Sequence, residues 1–128
     1  MRKRPEGAHV PPNEELLPLS PLSMAILLAL ADGDRHGYAL MKEVEEQSAG
    51  LLRPGTGSLY AGLQRLMSDG LIKEVDGAPG ADRRRRHYRI TDAGREVARA
   101  EVERMLRVVA AAGRRDIRPR HVPVAEGA

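Results

Sequence analysis

Apolar residues recur with helical spacing at four places along this chain. Residues 22–31 are apolar on nearly every side, the pattern of a helix buried all round. Ser20-Pro21 precedes them with a capping hydroxyl and a proline at the first helical position, and Asp32-Gly33-Asp34 stops the run. A second helix begins near His36-Gly37 and continues to about Ser48. Its apolar stripe is Leu40, Met41 and Val44, and Lys42, Glu43, Glu45 and Glu46 form the solvated side. The turn Arg53-Pro54-Gly55-Thr56-Gly57-Ser58 leads into a third helix, which reaches about Asp69 and closes on Gly70. Residues 71–75 and 86–90 read as strands joined by the loop 76–85. Thr91 caps a fourth helix from Asp92 to about Ala112, roughly 30 Å long.

Helix, helix, helix, hairpin, helix is the order of a winged helix-turn-helix. The expected fold is therefore mainly α with a small β-hairpin, plus a long C-terminal dimerisation helix. Residues 1–19, rich in Pro, Glu and Arg, read as a flexible arm. Residues 20–91 form the winged-helix unit, 92–112 the long helix, and 113–128 a basic flexible tail. Composition narrows this picture. The chain has 128 residues, with three Tyr, no Phe, no Trp and no Cys. Its core must be aliphatic, which suits packed helices. Disulfides, thiol nucleophiles and Cys-based metal sites are excluded. The four His are not at metal-ligand spacings, no P-loop is present, and no Ser has a visible His/Asp pair. No cofactor, no metal and no enzymatic activity are expected.

The net charge of +3 is modest, but it is unevenly spread. Residues 20–52 hold two basic and five acidic side chains, whereas residues 53–91 hold eight basic and four acidic. Segregation of this kind is the footprint of a polyanion binder. A GC-rich genome would also raise the Arg count, and Arg outnumbers Lys 18 to 3. Projected at 100° per residue, Leu59, Leu63 and Leu66 of the third helix share one face. Gly57, Ala61, Gln64, Arg65 and Ser68 lie opposite. Gln64 suits an adenine edge, Arg65 a guanine, and Ala61 a thymine methyl. Thr56 and Ser58, with free amides at the helix start, suit a phosphate, and Tyr60 stands on the flank. The same face would also serve as an ordinary solvated surface. In the second arm of the hairpin, Arg83, Arg84, Arg85, Arg86 and Arg89 bring five guanidiniums into seven residues, with His87 among them. Guanidinium forks match phosphate oxygens, so the run reads as a wing on the DNA backbone, against the alternative of a solvated loop. The expected DNA-binding residues are Thr56, Gly57, Ser58, Tyr60, Ala61, Gln64, Arg65, Arg83, Arg84, Arg85, Arg86 and His87.

In the fourth helix Ala98, Val102, Met105 and Val109 recur at four, three and four, with Leu106 and Val108 widening the stripe. Together with Leu22 and Ile26 of the all-apolar first helix, Ala98, Val102, Met105, Leu106 and Val109 are the expected dimer interface. The alternative is that the stripe packs back on its own domain. Arg2, Lys3 and Arg4 ahead of an apolar run superficially match a secretory signal. The run starts only at Leu22, however, beyond Glu14, Glu15 and several prolines, and it is too short to span a bilayer. A cytoplasmic location without membrane contact is expected.

The residues resemble the PadR family of bacterial transcriptional regulators over about 22–95. His36-Gly37-Tyr38-Ala39-Leu40 is similar to the start of that family's second helix. Gly57-Ser58-Leu59-Tyr60-Ala61-Gly62-Leu63-Gln64-Arg65-Leu66 is similar to its recognition element. Gly70-Leu71-Ile72, the Arg-rich wing and Tyr88-Arg89-Ile90-Thr91-Asp92-Ala93-Gly94 complete the likeness. Ala61-Gly62 departs from the family's frequent Pro-Ala. The resemblance implies a homodimeric repressor on double-stranded DNA at a palindromic operator, and a small-molecule effector, whose identity no residue discloses. Without Trp the paired-Trp drug pocket of some members is excluded. With Tyr60 and Tyr88 assigned to the DNA side and Tyr38 to a structural role, little aromatic surface is left for a flat ligand. A second reading from another class is a winged-helix protein-interaction module without specific DNA binding.

Overall fold

Short-range capping sets most of the element boundaries. In the computed structural model, which describes residues 15–77, 80 and 85–121, the Ser20 hydroxyl accepts the Ser23 N–H at 3.0 Å and starts α1, Pro21–Ala31. His36 does the same for α2, Gly37–Gln47, its Nδ1 accepting the Ala39 N–H at 3.3 Å. Helix α3, Thr56–Ser68, is capped by Gly55 without any side-chain bond. It therefore begins two residues before Ser58, inside the turn expected from the sequence. Gly70 follows it at φ 76° and turns the chain into β2, Ile72–Val75. Strand β3, His87–Ile90, returns antiparallel to β2 with Ile72 opposite Ile90. A further two-residue strand, β1, Arg35–His36, pairs with the other edge of β3, giving the order β1-β3-β2. Two residues carry no periodicity, so nothing in the sequence marks β1 as a strand.

The core is aliphatic, as the composition requires. Ile26, Leu27 and Leu30 of α1 meet Leu40 and Val44 of α2 and Leu59, Leu63 and Leu66 of α3, all essentially without solvent exposure. Each such burial contributes roughly 2 kcal/mol. Gly62 is the point of close approach between helices: a Cβ there would lie 3.5 Å from Leu22 Cδ2 and 3.6 Å from Ile26 Cδ1. This corrects the expectation for Ile26. It lies wholly inside its own chain and has no surface to offer a second copy. Leu22 is half-buried on the same core.

The long helix α4, Asp92–Gly113, begins at Thr91, whose hydroxyl accepts the Gly94 N–H at 3.0 Å and donates to Gly70 O at 2.7 Å. Gly94, Val97 and Glu101 face inward. Glu101 is fully buried; it accepts the Leu19 N–H at 2.8 Å and is ion-paired with Arg104. Leu16, Leu17 and Leu19 pack against the core, so the arm expected over residues 1–19 is docked at its end. The Arg104 guanidinium, then the Leu19 amide, holds the Glu101 carboxyl below its ordinary 4.5 against the opposing effect of burial. Because the folded value is the lower one, the ionised carboxylate contributes stability above pH 4.5, and this is lost as pH falls through the folded value. Glu101→Gln is therefore expected to be less stable than the native chain in urea at pH 7. The gap should narrow progressively as the medium becomes more acidic than the ordinary carboxylate value. A gap that stays constant down to about pH 3 would show that the charge contributes nothing.

Candidate nucleic-acid interface

The face of α3 turned away from the core is open. Thr56, Gly57, Ser58, Tyr60, Ala61, Gln64 and Arg65 are all exposed, while Leu59, Leu63 and Leu66 anchor the opposite side. Gly55, at the N-cap of α3, has no side chain to bond the first-turn amides. These amides and the exposed hydroxyls of Thr56 and Ser58 are donors of the kind that suits an anionic oxygen. A Cβ built on Gly57 meets nothing within 4 Å, so the helix presents a low surface at its leading end.

A cleft of about 570 Å³ runs along one flank of this face. The start of α2 (His36, Gly37, Tyr38), Tyr60 and Gln64 of α3, and Arg85, Arg86 and Tyr88 line it. All three tyrosines of the chain thus meet at one place. Tyr88, expected on the DNA side, is instead buried in the core behind the cleft, and burial raises its phenol above the ordinary value. Tyr60 leans over Gly37; a Cβ at Gly37 would lie 2.5 Å from its hydroxyl. Tyr38, expected to be structural, is 61% exposed, with Lys42 Nζ 5.7 Å from its ring centre. Tyr38 and Lys42 are members of this surface that composition and spacing do not single out. The visible signal is the His36-Gly37-Tyr38 triplet at a helix start.

The wing differs most from its expected form. Arg83 and Arg84 lie outside the described residues. Arg85 reaches His36, Nη1 to Nε2 at 3.1 Å, and Arg86 bonds Glu74 at 3.0 Å. Arg89 forks onto Asp34 through two bonds of 2.9 and 2.8 Å. Glu74 and Asp34 offset the charges of Arg86 and Arg89, which look unbalanced in the sequence run. Both Arg86 and Arg89 remain at least half exposed, so such pairs hold them by little and a phosphate can displace the partner. The Arg89 fork holds the Asp34 carboxyl below its usual range. His87 is nearly buried, its ring edge-on to His36 at 5.6 Å, with Nδ1 3.1 Å from Arg85 O. Its burial at the base of the wing leaves it little surface for the direct DNA contact expected of it. Burial first, then the Arg85 guanidinium, lowers His36 from its ordinary value, which favours the neutral imidazole whose Nδ1 caps α2.

On α4 the inward face and the apolar stripe are distinct. Projected at 100° per residue, Gly94, Val97 and Glu101 centre roughly 80° away from Ala98, Val102, Met105 and Val109. Ala98 packs partly on the core, but Val102, Met105, Leu106, Val108 and Val109 are 40–61% exposed. Past Glu101 the helix carries its apolar residues into solvent. Among the described residues no His/Cys/Asp/Glu group could hold a metal ion, and no helix is long and apolar enough to cross a membrane.

Two helices joined by a turn, the second of them open on its outer face, beside a hairpin with an arginine-bearing arm, define a winged helix-turn-helix protein. Residues 26–100 match the model of the transcriptional regulator PadR-like family. The chain belongs to that family, whose members regulate transcription and are not enzymes. It is 39% identical over 85 residues, 66% of its length, to an uncharacterized 37.1 kDa protein in transposon TN4556 of Streptomyces fradiae. It spans only 23% of that relative. Among solved structures, a transcriptional regulator from Clostridium thermocellum superposes with TM-score 0.62 at 26% identity, over 73% of this chain and 87% of that one. RosR of H. salinarum gives 0.61 at 27%, over 79% and 87%. Bacillus subtilis PadR, solved in complex with operator DNA, shares the fold at TM-score 0.55 and 21% identity, over 85% of this chain and 52% of that one.

Proposed function

We propose that this protein is a sequence-specific DNA-binding transcriptional repressor, acting in the cytoplasm as a homodimer on a palindromic operator. The observation that carries the reading is the open outer face of α3, where Ala61, Gln64 and Arg65 are exposed between a helix start without an N-cap side chain and a cleft bearing Arg85 and Arg86. Gln64, Arg65 and Ala61 would read base edges in the major groove. Thr56, Ser58 and the amides beside them, Tyr38, Lys42 and the wing arginines would hold flanking phosphates. Repression then needs no chemistry: a bound dimer occupies the promoter. Bacillus subtilis PadR in complex with operator DNA supports the same use of the shared fold. The exposed stripe of α4 supports the dimer, and a twofold axis through it would set two α3 helices about one DNA turn, roughly 34 Å, apart.

The competing reading, a protein-interaction module, has its own support in Leu51, 90% exposed shortly after the acidic helix α2. Gel retardation on the promoter of its own gene at rising salt separates the two. Absence of a shift on any promoter fragment at low salt would sink the repressor. The roles also divide. Gln64→Ala is expected to relax base preference with the salt dependence unchanged. Arg84→Ala is expected to weaken specific and random DNA alike and to flatten the slope of log affinity against log salt by about 0.9 for every phosphate it no longer neutralises. Equal losses in both variants on both DNAs would contradict that division.

A further inference from the structure

The imidazole of His36 stands where the wing, β3 and the start of α2 meet, and both of its nitrogens face a donor. Nδ1 accepts the Ala39 N–H at 3.3 Å and caps α2, while Nε2 lies 3.1 Å from Nη1 of Arg85. A guanidinium and a backbone amide N–H only donate, whereas a neutral imidazole offers one lone pair and carries one N–H. The ring therefore satisfies one of the two at a time. With Nδ1 as the cap, the proton sits on Nε2 and points at Arg85. With Nε2 accepting from Arg85, it sits on Nδ1 and points at the Ala39 amide. We propose that His36 is a positioning residue for Arg85: a DNA phosphate draws the guanidinium off the ring and the ring takes up a proton, so that operator affinity rises as the medium becomes more acidic. The inference rests on the DNA-binding reading above.

The surroundings of the ring decide the direction of the effect. His36 is paired through its backbone with His87 in the β1–β3 ladder, and the two rings meet edge-on at 5.6 Å. The half-buried ring is thus fixed at the root of the wing, and the exposed Arg85 is the partner that can move. His87 has no such conflict, because its Nδ1 stands 3.1 Å from Arg85 O, an acceptor. From α3 the Tyr60 hydroxyl leans over Gly37, and on α2 Tyr38 follows with Lys42 by its ring. Arg86, paired with Glu74, shares the cleft. Among the described residues that line the cleft there is no carboxylate. Ahead of His36, Asp34 is engaged by the Arg89 fork and Arg35 donates to Ala29 O. The described groups that share the cleft with the ring are therefore cationic or neutral, and burial together with Arg85 lowers His36 from its ordinary value. A phosphate in the cleft reverses the electrostatic part: it takes Arg85 away from Nε2 and brings negative charge towards it. The cap lost on protonation costs the same in the free and the bound protein and cancels from the affinity. A group that holds its proton more tightly in the complex adds affinity as pH falls through its bound value, and nothing well above it.

The test is fluorescence anisotropy of the full chain on an operator duplex, at constant ionic strength, between about pH 5.5 and pH 8. The native affinity should rise about three- to tenfold per bound protomer as pH falls across that range, tenfold being the ceiling for each unit by which the ring titrates higher in the complex. His36→Asn keeps a capping acceptor and carries nothing that titrates in this range, so its affinity should be independent of pH. Arg85→Ala leaves the ring and its cap in place and should lose most of the rise. NMR of the imidazole carbons in the native chain reads the step directly, without any variant: the His36 ring should titrate at higher pH in the complex than in the free protein. A flat native profile, a His36→Asn profile as steep as the native one, or a His36 ring that titrates alike in both states overturns the proposal while the DNA-binding reading stands. A rise that survives Arg85→Ala undiminished removes the guanidinium as the group through which His36 acts. If the native chain binds no promoter fragment, both readings fall.

Discussion

Gly94→Ala is expected to lower the stability of the protein by about 2 kcal/mol or more, although the same exchange in an open helix would raise it. Alanine is the better helix former by roughly 1 kcal/mol and restricts the unfolded chain. At Gly94 the added Cβ would stand 2.1 Å from Leu71 O, 3.1 Å from Leu71 C and 2.8 Å from Ile90 Cγ1. Most of these are backbone atoms, and they are tied down. Leu71 O accepts the Thr91 N–H at 3.0 Å, and the Thr91 hydroxyl bridges Gly70 O and the Gly94 N–H. Relief would require α4 to lift off the sheet, with loss of packing at Val97 and of the Glu101 clasp. Overpacking without such anchoring already costs ~1–3 kcal/mol. The fall corresponds to a drop of roughly 8–16 °C in Tm for a domain of this size. Gly57→Ala is the control. Its Cβ meets nothing within 4 Å, so stability should hold or rise slightly, while the methyl group on the outer face of α3 weakens operator binding. A Gly94→Ala protein as stable as the native one would show that the junction yields.

The features legible in the sequence are the ones written by neighbouring residues. Ser20, Gly70 and Thr91 act within three or four positions of themselves, and each marks a helix boundary correctly. The aliphatic stripe Leu59, Leu63 and Leu66 likewise fixes which side of α3 turns outward. What escapes are partnerships across the chain. Asp34 lies 55 residues from Arg89 and Glu74 lies 12 from Arg86, so these two arginines look unbalanced in the sequence although each has a carboxylate partner. Glu101 reads as one more acid on a charged helix; its reason for burial is an amide 82 residues away. Ile26 is unassignable for another reason: an all-apolar helix does not disclose which neighbour covers which side. His87 escapes because its strand gains a second partner, the two-residue β1, whose pairing exists only once the sheet has formed.

The exposed half of α4 carries the other large effect. Combining Val102→Glu and Met105→Glu is expected to give a monomer that binds the full operator at least ~100-fold more weakly than the native chain. Val102, Met105, Leu106 and Val109 lie along about two turns beyond the point where α4 leaves the core, and their exposure makes an apolar surface that a second copy of α4 would bury. Carboxylates there would have to be desolvated against the partner and would repel their symmetry mates across the twofold axis. They face solvent in the single chain, so the winged-helix unit should keep its helical circular dichroism and its unfolding curve. The loss in DNA binding follows from linkage. Two tethered reading heads make the second half-site an intramolecular encounter, worth ~10²–10⁴ in affinity without any new contact. A half-site duplex should therefore bind the variant and a native protomer about equally, and only the full operator should tell them apart. Sedimentation velocity gives the mass, and anisotropy on half and full sites gives the affinities. A variant that sediments as a dimer, or a monomer that holds the full operator as tightly as the native chain, would remove α4 as the dimer element and return its stripe to some other partner.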